Sequence, residues 1–229
     1  MINHVRNTVL SILNKENRGY ITPEQFNSYA AYAQQGIFNL YFSEYAKMVA
    51  LKNSRRLSAD YGDRVREIQS NIDTFTKVAS IAKSGAAYPK PTDMFKPLSL
   101  RYDGNEIVQV PIHKETFVEK ANLTAPSTTY PIYIDKDNVF SVKPSTITSA
   151  IDLVYVRNPL TPKWTYTVVL DQPVFNPSAS DYQDFELGED ESVNLIIEIC
   201  KLAGVTIREN DVVTFANNAD VLEDQKQNS

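Results

Sequence analysis

From its second residue the chain repeats apolar positions at steps of three and four. Ile2, Val5, Val9, Ile12 and Leu13 share one face and predict a helix over 2–13. A longer helix is predicted from Pro23 to about Arg55, with Thr22 as N-cap, Pro23 as first helical residue and Gln25 as the capping-box partner. Phe26, Ala30, Ala33, Ile37, Leu40 and Tyr41 form its core stripe, and Tyr32, Phe38, Phe42 and Tyr45 add aromatics to the neighbouring faces. So wide an apolar arc exceeds what one partner helix covers, which points to a second contact within the fold or with another subunit. A third helix is predicted from Asp60 to Lys83. Its apolar residues Tyr61, Val65, Ile68, Ile72, Phe75, Ala79 and Ala82 alternate steps of four and three, the seam of an antiparallel pair. Helices two and three are therefore expected to form a long hairpin, with helix one across it.

Beyond Ser84 and Gly85 the period changes from 3.6 to 2. Leu98 to Tyr102 and Glu106 to Val110 flank Asp103-Gly104-Asn105, a hairpin signal, and Tyr130 to Ile134 and Val139 to Val142 flank a second turn at 135–138. Residues 113–121 read as a short helix with Phe117 and Val118 inward. In the stretch Asp152 to Trp164, Leu153, Tyr155 and Arg157 face one way and Val154 and Val156 the other. Pro159 and Pro162 end the strand, and Trp164, the only tryptophan, is placed to anchor the exit from the last edge of the sheet. Thr165 to Leu170 reads as one further strand. A helix over 190–202 is expected to bury Val193, Ile196, Ile197, Cys200 and Ala203 and to stop at Gly204. Another short helix is predicted over 210–218. The expected fold class is α+β: an N-terminal antiparallel helical bundle built on a long helical hairpin (1–84), a small antiparallel β-sheet or barrel (85–170), an acidic linker and C-terminal helices (171–219), and a flexible tail (220–229).

Composition narrows the function classes. At 42% hydrophobic and 22% charged residues the chain reads as an ordinary globular protein, with no apolar run near the roughly 18 residues that cross a bilayer. The amphipathic first helix does not read as a secretion signal. Thirteen tyrosines and ten phenylalanines against seven glycines favour subunit contacts, because tyrosine suits surfaces that are wet in one state and buried in another. The net charge of -5 hides a gradient, from basic over 1–84 through neutral over 85–180 to strongly acidic over 181–229. Ends of opposite sign suit head-to-tail association of identical copies, or two different partners. Lys52, Arg55 and Arg56, near the end of helix two, are candidates for an acidic partner, with Glu189, Asp190 and Glu191 of an adjacent copy as one such partner; both groups also suit the dipoles of their helices. Tyr32, Phe38, Phe42 and Tyr45 are candidates for contact with a neighbour, and Trp164 joins them.

Chemistry is sparse. His4 and His113 lie in different predicted elements, Cys200 is the single cysteine, no glycine loop could cradle a phosphate, and the carboxylate pairs Asp135/Asp137 and Asp181/Asp184 fall in turns. Asn14 to Gln25 has the layout of a calcium loop with Gly19 sixth. Arg18 stands fifth, however, and Gln25 stands twelfth, where a bidentate glutamate is required. No catalytic residue, cofactor or metal is expected, and the chain does not read as an enzyme.

Several blocks of the sequence carry a resemblance. Val5-Arg6-Asn7-Thr8-Val9-Leu10, Leu13-Asn14-Lys15, Gly19 to Asn27, Pro131-Ile132-Tyr133, Tyr155 to Pro159 with Pro162 and Trp164, and Leu195 to Arg208 resemble structural proteins of tailed bacteriophages, most closely the ring proteins near the portal in crAss-like phages. The resemblance implies a virion protein of the head-to-tail connector or tail barrel, made in the host cytoplasm. It would form a ring, of twelve copies to match the portal, and its helical hairpins would pack side by side as in adaptor proteins. Its partners would be other copies of itself, the portal protein and neighbouring tail proteins. DNA would pass through the ring without sequence-specific binding, and no membrane is involved. The alternative is a non-viral interaction module with a degenerate calcium-type loop.

Overall fold

The computed structural model describes residues 1–15, 21–53, 61–121 and 125–204. Its helices are α1 (Ile2–Lys15), α2 (Pro23–Asn53), α3 (Tyr61–Asp73), α4 (Glu115–Glu119) and α5 (Ser192–Leu202). Its strands are β1 (Thr76–Ile81), β2 (Tyr88–Pro89), β3 (Met94–Tyr102), β4 (Asn105–Gln109), β5 (Ile132–Lys136), β6 (Val139–Lys143), β7 (Ile151–Arg157), β8 (Tyr166–Val169) and β9 (Gln172–Phe175). The first seven form one nearly closed, barrel-like sheet in the order β1-β7-β3-β4-β5-β6-β2, and among the described residues β8 and β9 pair only with each other. The chain gathers into two compact units, Asp73–Asn158 and Met1–Ile72 with Pro159–Ser229.

The class is α+β, but the expected long helical hairpin is not formed. Helix α3 stops at Asp73, and the residues that would have continued its seam become β1, which pairs with β7 from Thr76↔Val156 to Ile81↔Ile151. Thr74, Thr76 and Val78 place β-branched side chains at alternate positions, which fits a strand better than a helix. Steps of three and four therefore predict burial at Ile68, Ile72 and Phe75 correctly, but not the backbone that buries them. The main helical partner of both α1 and α2 is α5, from the other end of the chain.

Helix α1 buries Ile2, Val5, Val9 and Leu13, as its periodicity predicts. The capping box at α2 is also present: the Thr22 N–H donates to Gln25 Oε1 (3.0 Å), and the Gln25 N–H donates to Thr22 Oγ1 (3.2 Å). Helix α5 turns a different face inward. Leu195, Ile199 and Cys200 are buried, while Val193 is 61% exposed. Six of the eight positions of Val193–Cys200 are apolar, so its spacing alone cannot single out one face.

In the sheet unit, β7 is an inner strand, flanked by β1 and β3, rather than the last edge. Its Ile151, Leu153 and Tyr155 enter a core with Tyr88, Leu100, Ile107 and Phe140. The β3–β4 hairpin turns at Asp103-Gly104 (φ 48° and 77°), with Tyr102 opposite Asn105, the positive-φ pair of a type I′ turn. The sheet is not purely antiparallel: β4 and β5 run parallel, Val108↔Ile132. A parallel pair needs a crossover, and residues 110–131 supply it with a 3₁₀ turn and α4, whose Phe117 is exposed rather than inward. The expectations for the loop at 16–20, for 210–218 and for the tail at 220–229 lie outside the described residues. Among the described residues no helix is long and apolar enough to cross a membrane.

Candidate functional site

The feature that stands out for interaction lies in the helical unit and is built on residues 159–187. This segment runs as a strap over α1 and α2, held by side-chain amides that bond to its backbone. Asn27 donates to the Trp164 carbonyl (3.1 Å) and accepts from the Trp164 N–H (2.8 Å). Two helical turns further on, Gln34 donates to the Leu160 carbonyl (2.8 Å) and accepts from the Glu186 N–H (3.0 Å). Seven residues apart on a helix is the same face, so α2 presents two amides that substitute for a neighbouring strand. Leaving either pair of backbone groups buried without partners would cost about 1–3 kcal/mol per group. The Glu186 carboxylate closes the loop by accepting from the Leu160 N–H (2.6 Å).

Trp164 is the pivot. Its indole is buried, its Nε1–H donates to Asn3 Oδ1 (3.0 Å), and the Arg6 guanidinium lies 3.7 Å from a ring centroid. A cation over an indole in a dry setting is worth about 0.5–2 kcal/mol. Tyr166 and Phe175 stack near the same indole (5.6 and 5.8 Å), and Tyr182 packs edge-on to Phe175 (5.7 Å). At the far end of the strap, the Asp184 carboxylate accepts from the Met1 amine (2.8 Å) and from the N–H groups of Ile2 (2.7 Å) and Phe185 (2.8 Å). Burial by itself would raise this carboxyl. These donors outweigh it and hold the group below the ordinary aspartate range, and they include an N–H that α1 leaves unpaired at its start.

From this base the β8–β9 hairpin projects. Thr165 and Asn176 tie its root together with paired backbone and hydroxyl hydrogen bonds. All four residues of β8 are exposed, and Leu170 at the tip is 93% exposed. Leu170 and Asp171 both hold positive φ (49° and 59°). A leucine in that region costs roughly 1–2 kcal/mol, because its Cβ crowds the carbonyl. Beside the root is a groove of about 430 Å³ between α2 and residues 161–163, with Ala31, Tyr32 and Pro162 as apolar walls and a Lys163–Asp181 ion pair (2.6 Å) at its rim.

The residues singled out from sequence are dispersed in this arrangement. Tyr32 is 70% exposed and lines the groove, whereas Phe38 is fully buried, with Phe42 edge-on to it at 5.1 Å. Phe42 and Tyr45 are half-buried. Trp164 is buried inside the subunit as the pivot of the strap. Arg55 and Arg56 and the Lys52 side chain lie outside the described residues. Glu189 and Asp190 are exposed on a 3₁₀ turn, while Glu191 is engaged within the subunit, accepting from the Tyr41 hydroxyl (2.9 Å) and from Asn194 (2.7 Å). Burial and this carboxylate push the Tyr41 phenol far above its usual range.

Sequence reasoning missed Asn27, Gln34 and Leu170. Gln34 did leave a signal, since it interrupts the apolar arc between Ala33 and Ile37. Among the described residues no group of three or more His, Cys, Asp or Glu side chains is placed to hold a metal ion. The Cys200 thiol is buried, and burial pushes it up. A scan against models of known protein families finds no match, and a comparison with curated proteins finds none either.

Proposed function

We propose that this chain is a structural subunit of a tailed-phage virion, forming a ring at the head-to-tail junction or tail barrel. Its work is mechanical rather than catalytic: the ring extends the DNA channel and docks the next tail component, contacting DNA without reading its sequence. The observation that carries the assembly part is the β8–β9 arm, an apolar ribbon left bare on a base held by Trp164, Asn27 and Gln34. A two-stranded ribbon is marginal in water by itself, and this one leaves Val168, Val169, Leu170 and Val174 exposed across its two faces. The resemblance of the blocks at 5–10, 131–133 and 155–164 to portal-proximal ring proteins supports the virion setting, with the portal and adjoining tail proteins as partners. The charge gradient suits a contact repeated from copy to copy.

Mass measurement and negative-stain imaging of the purified full chain test this reading. The expected result is a closed ring with an open centre, of about twelve times the 25.9 kDa of one chain. A monodisperse monomer with no affinity for portal or tail proteins overturns it.

A further inference from the structure

We propose that the β8–β9 arm of one copy seats Leu170 in the groove beside Tyr32 of a second copy. This deepens the self-assembly reading and rests on it. At the other two-residue hairpin with two positive φ angles the chain uses Asp103-Gly104, the residues such a turn favours on backbone grounds. At 170–171 it uses Leu-Asp instead, which strains the backbone and places a bare leucine at the apex. Strain of this kind persists where the rest of the structure holds it in place, and it often marks a functional contact. The pivot at Trp164 fixes the root of the arm, so little freedom of the arm is lost on docking.

The groove fits the tip in size, and its rim carries a Lys163–Asp181 ion pair whose ammonium Asp171 could share. Its volume of about 430 Å³ lies in the range of pockets that accept a small apolar group. Ala31, Tyr32 and Pro162 supply apolar walls. The arm carries one charge, Asp171, next to Leu170. The cation at the groove is Lys163, about half exposed, whose ammonium uses one of its three donors on Asp181. Seating Leu170 would bring Asp171 within reach of the remaining donors. Arm and groove are different surfaces of the same unit, so each copy can offer its arm to one neighbour and its groove to the other; such a head-to-tail contact closes into a ring, whereas reciprocal exchange of arms between two copies stops at a dimer.

The test replaces Tyr32 with a photoreactive benzoylphenylalanine in the full chain, mixes isotopically heavy and light protein, irradiates, and maps the cross-linked peptides while the assembly mass is measured in parallel. The expected result is a heavy–light cross-link between position 32 and the 166–175 segment in a particle of ring mass. Rings without that cross-link, or with position 32 joined to another segment of the neighbour, overturn the arm-in-groove contact and leave the ring reading standing. The cross-link in a species that stops at a dimer upholds the contact and overturns the ring. Monomer alone, with position 32 unlinked to any second copy, overturns both.

Discussion

The β3–β4 and β8–β9 hairpins both reverse over two residues at positive φ, Asp103-Gly104 in one and Leu170-Asp171 in the other, yet they are held in opposite ways. The first belongs to a seven-stranded sheet: β3 is paired along its other side with β7, and Leu100 and Ile107 are buried opposite each other in the core. The second has no neighbouring strand among the described residues. It is held at its root, by an indole between an arginine and two aromatic rings, and it is bare toward its tip. Where a sheet surrounds the hairpin, the turn residues serve the backbone. Where no described strand flanks the hairpin, the turn carries an exposed side chain that its backbone disfavours.

The comparison can be broken first at the anchor. Trp164→Ala removes the pivot of the arm and is expected to destabilise the helical unit by about 3–5 kcal/mol, read as a lowered denaturant midpoint. Asn27→Ala strips partners from the Trp164 N–H and carbonyl and is expected to cost about 2–4 kcal/mol, with loss of amide protection at Trp164 ahead of the rest of the unit. The two turns then separate by sign. Gly104→Ala forces a Cβ into a positive-φ position and is expected to lower stability by about 1 kcal/mol, whereas Leu170→Gly, at a side chain that is 93% exposed, is expected to raise it by about the same.

The smallest expected effect is pH dependence at the strap. The Asp184 carboxyl is held below its ordinary value in the folded chain, so the folded state binds fewer protons than the unfolded one through the acidic range. Its stabilisation is complete above about pH 4, the unperturbed aspartate value, and is lost as pH falls through the lowered folded value. Thermal melts stepped down through that range should show the loss in the native chain and a flatter profile in Asp184→Asn.

What was legible in the sequence was local. The face of α1, the Thr22/Gln25 capping box and the Asp103-Gly104 turn each depend on residues within a turn of one another, and each is where its signal places it. What was not legible depends on partners far along the chain. Residues 76–81 continue a helix-compatible spacing while also placing β-branched residues at alternate positions, and pairing with β7 decides for the strand. The parallel β4–β5 pair needs a crossover that no local signal announces. At the candidate site, the exposed Tyr32 was legible as an aromatic outside the core stripe. Phe38, read the same way, is buried in the subunit. The Leu170-Asp171 turn was invisible because its first residue, Leu170, is not a turn former, although Asp171 is.

On the function proposed above, the arm serves assembly rather than folding. Leu170→Gly tests it most directly, with thermal stability and assembly measured on the same sample. Relief of the positive-φ strain with loss of the docking side chain should leave the melting temperature equal or higher, while the concentration needed for half-assembly rises by about tenfold or more. Unchanged assembly, or a fall in stability that accounts for the loss of assembly, would contradict it.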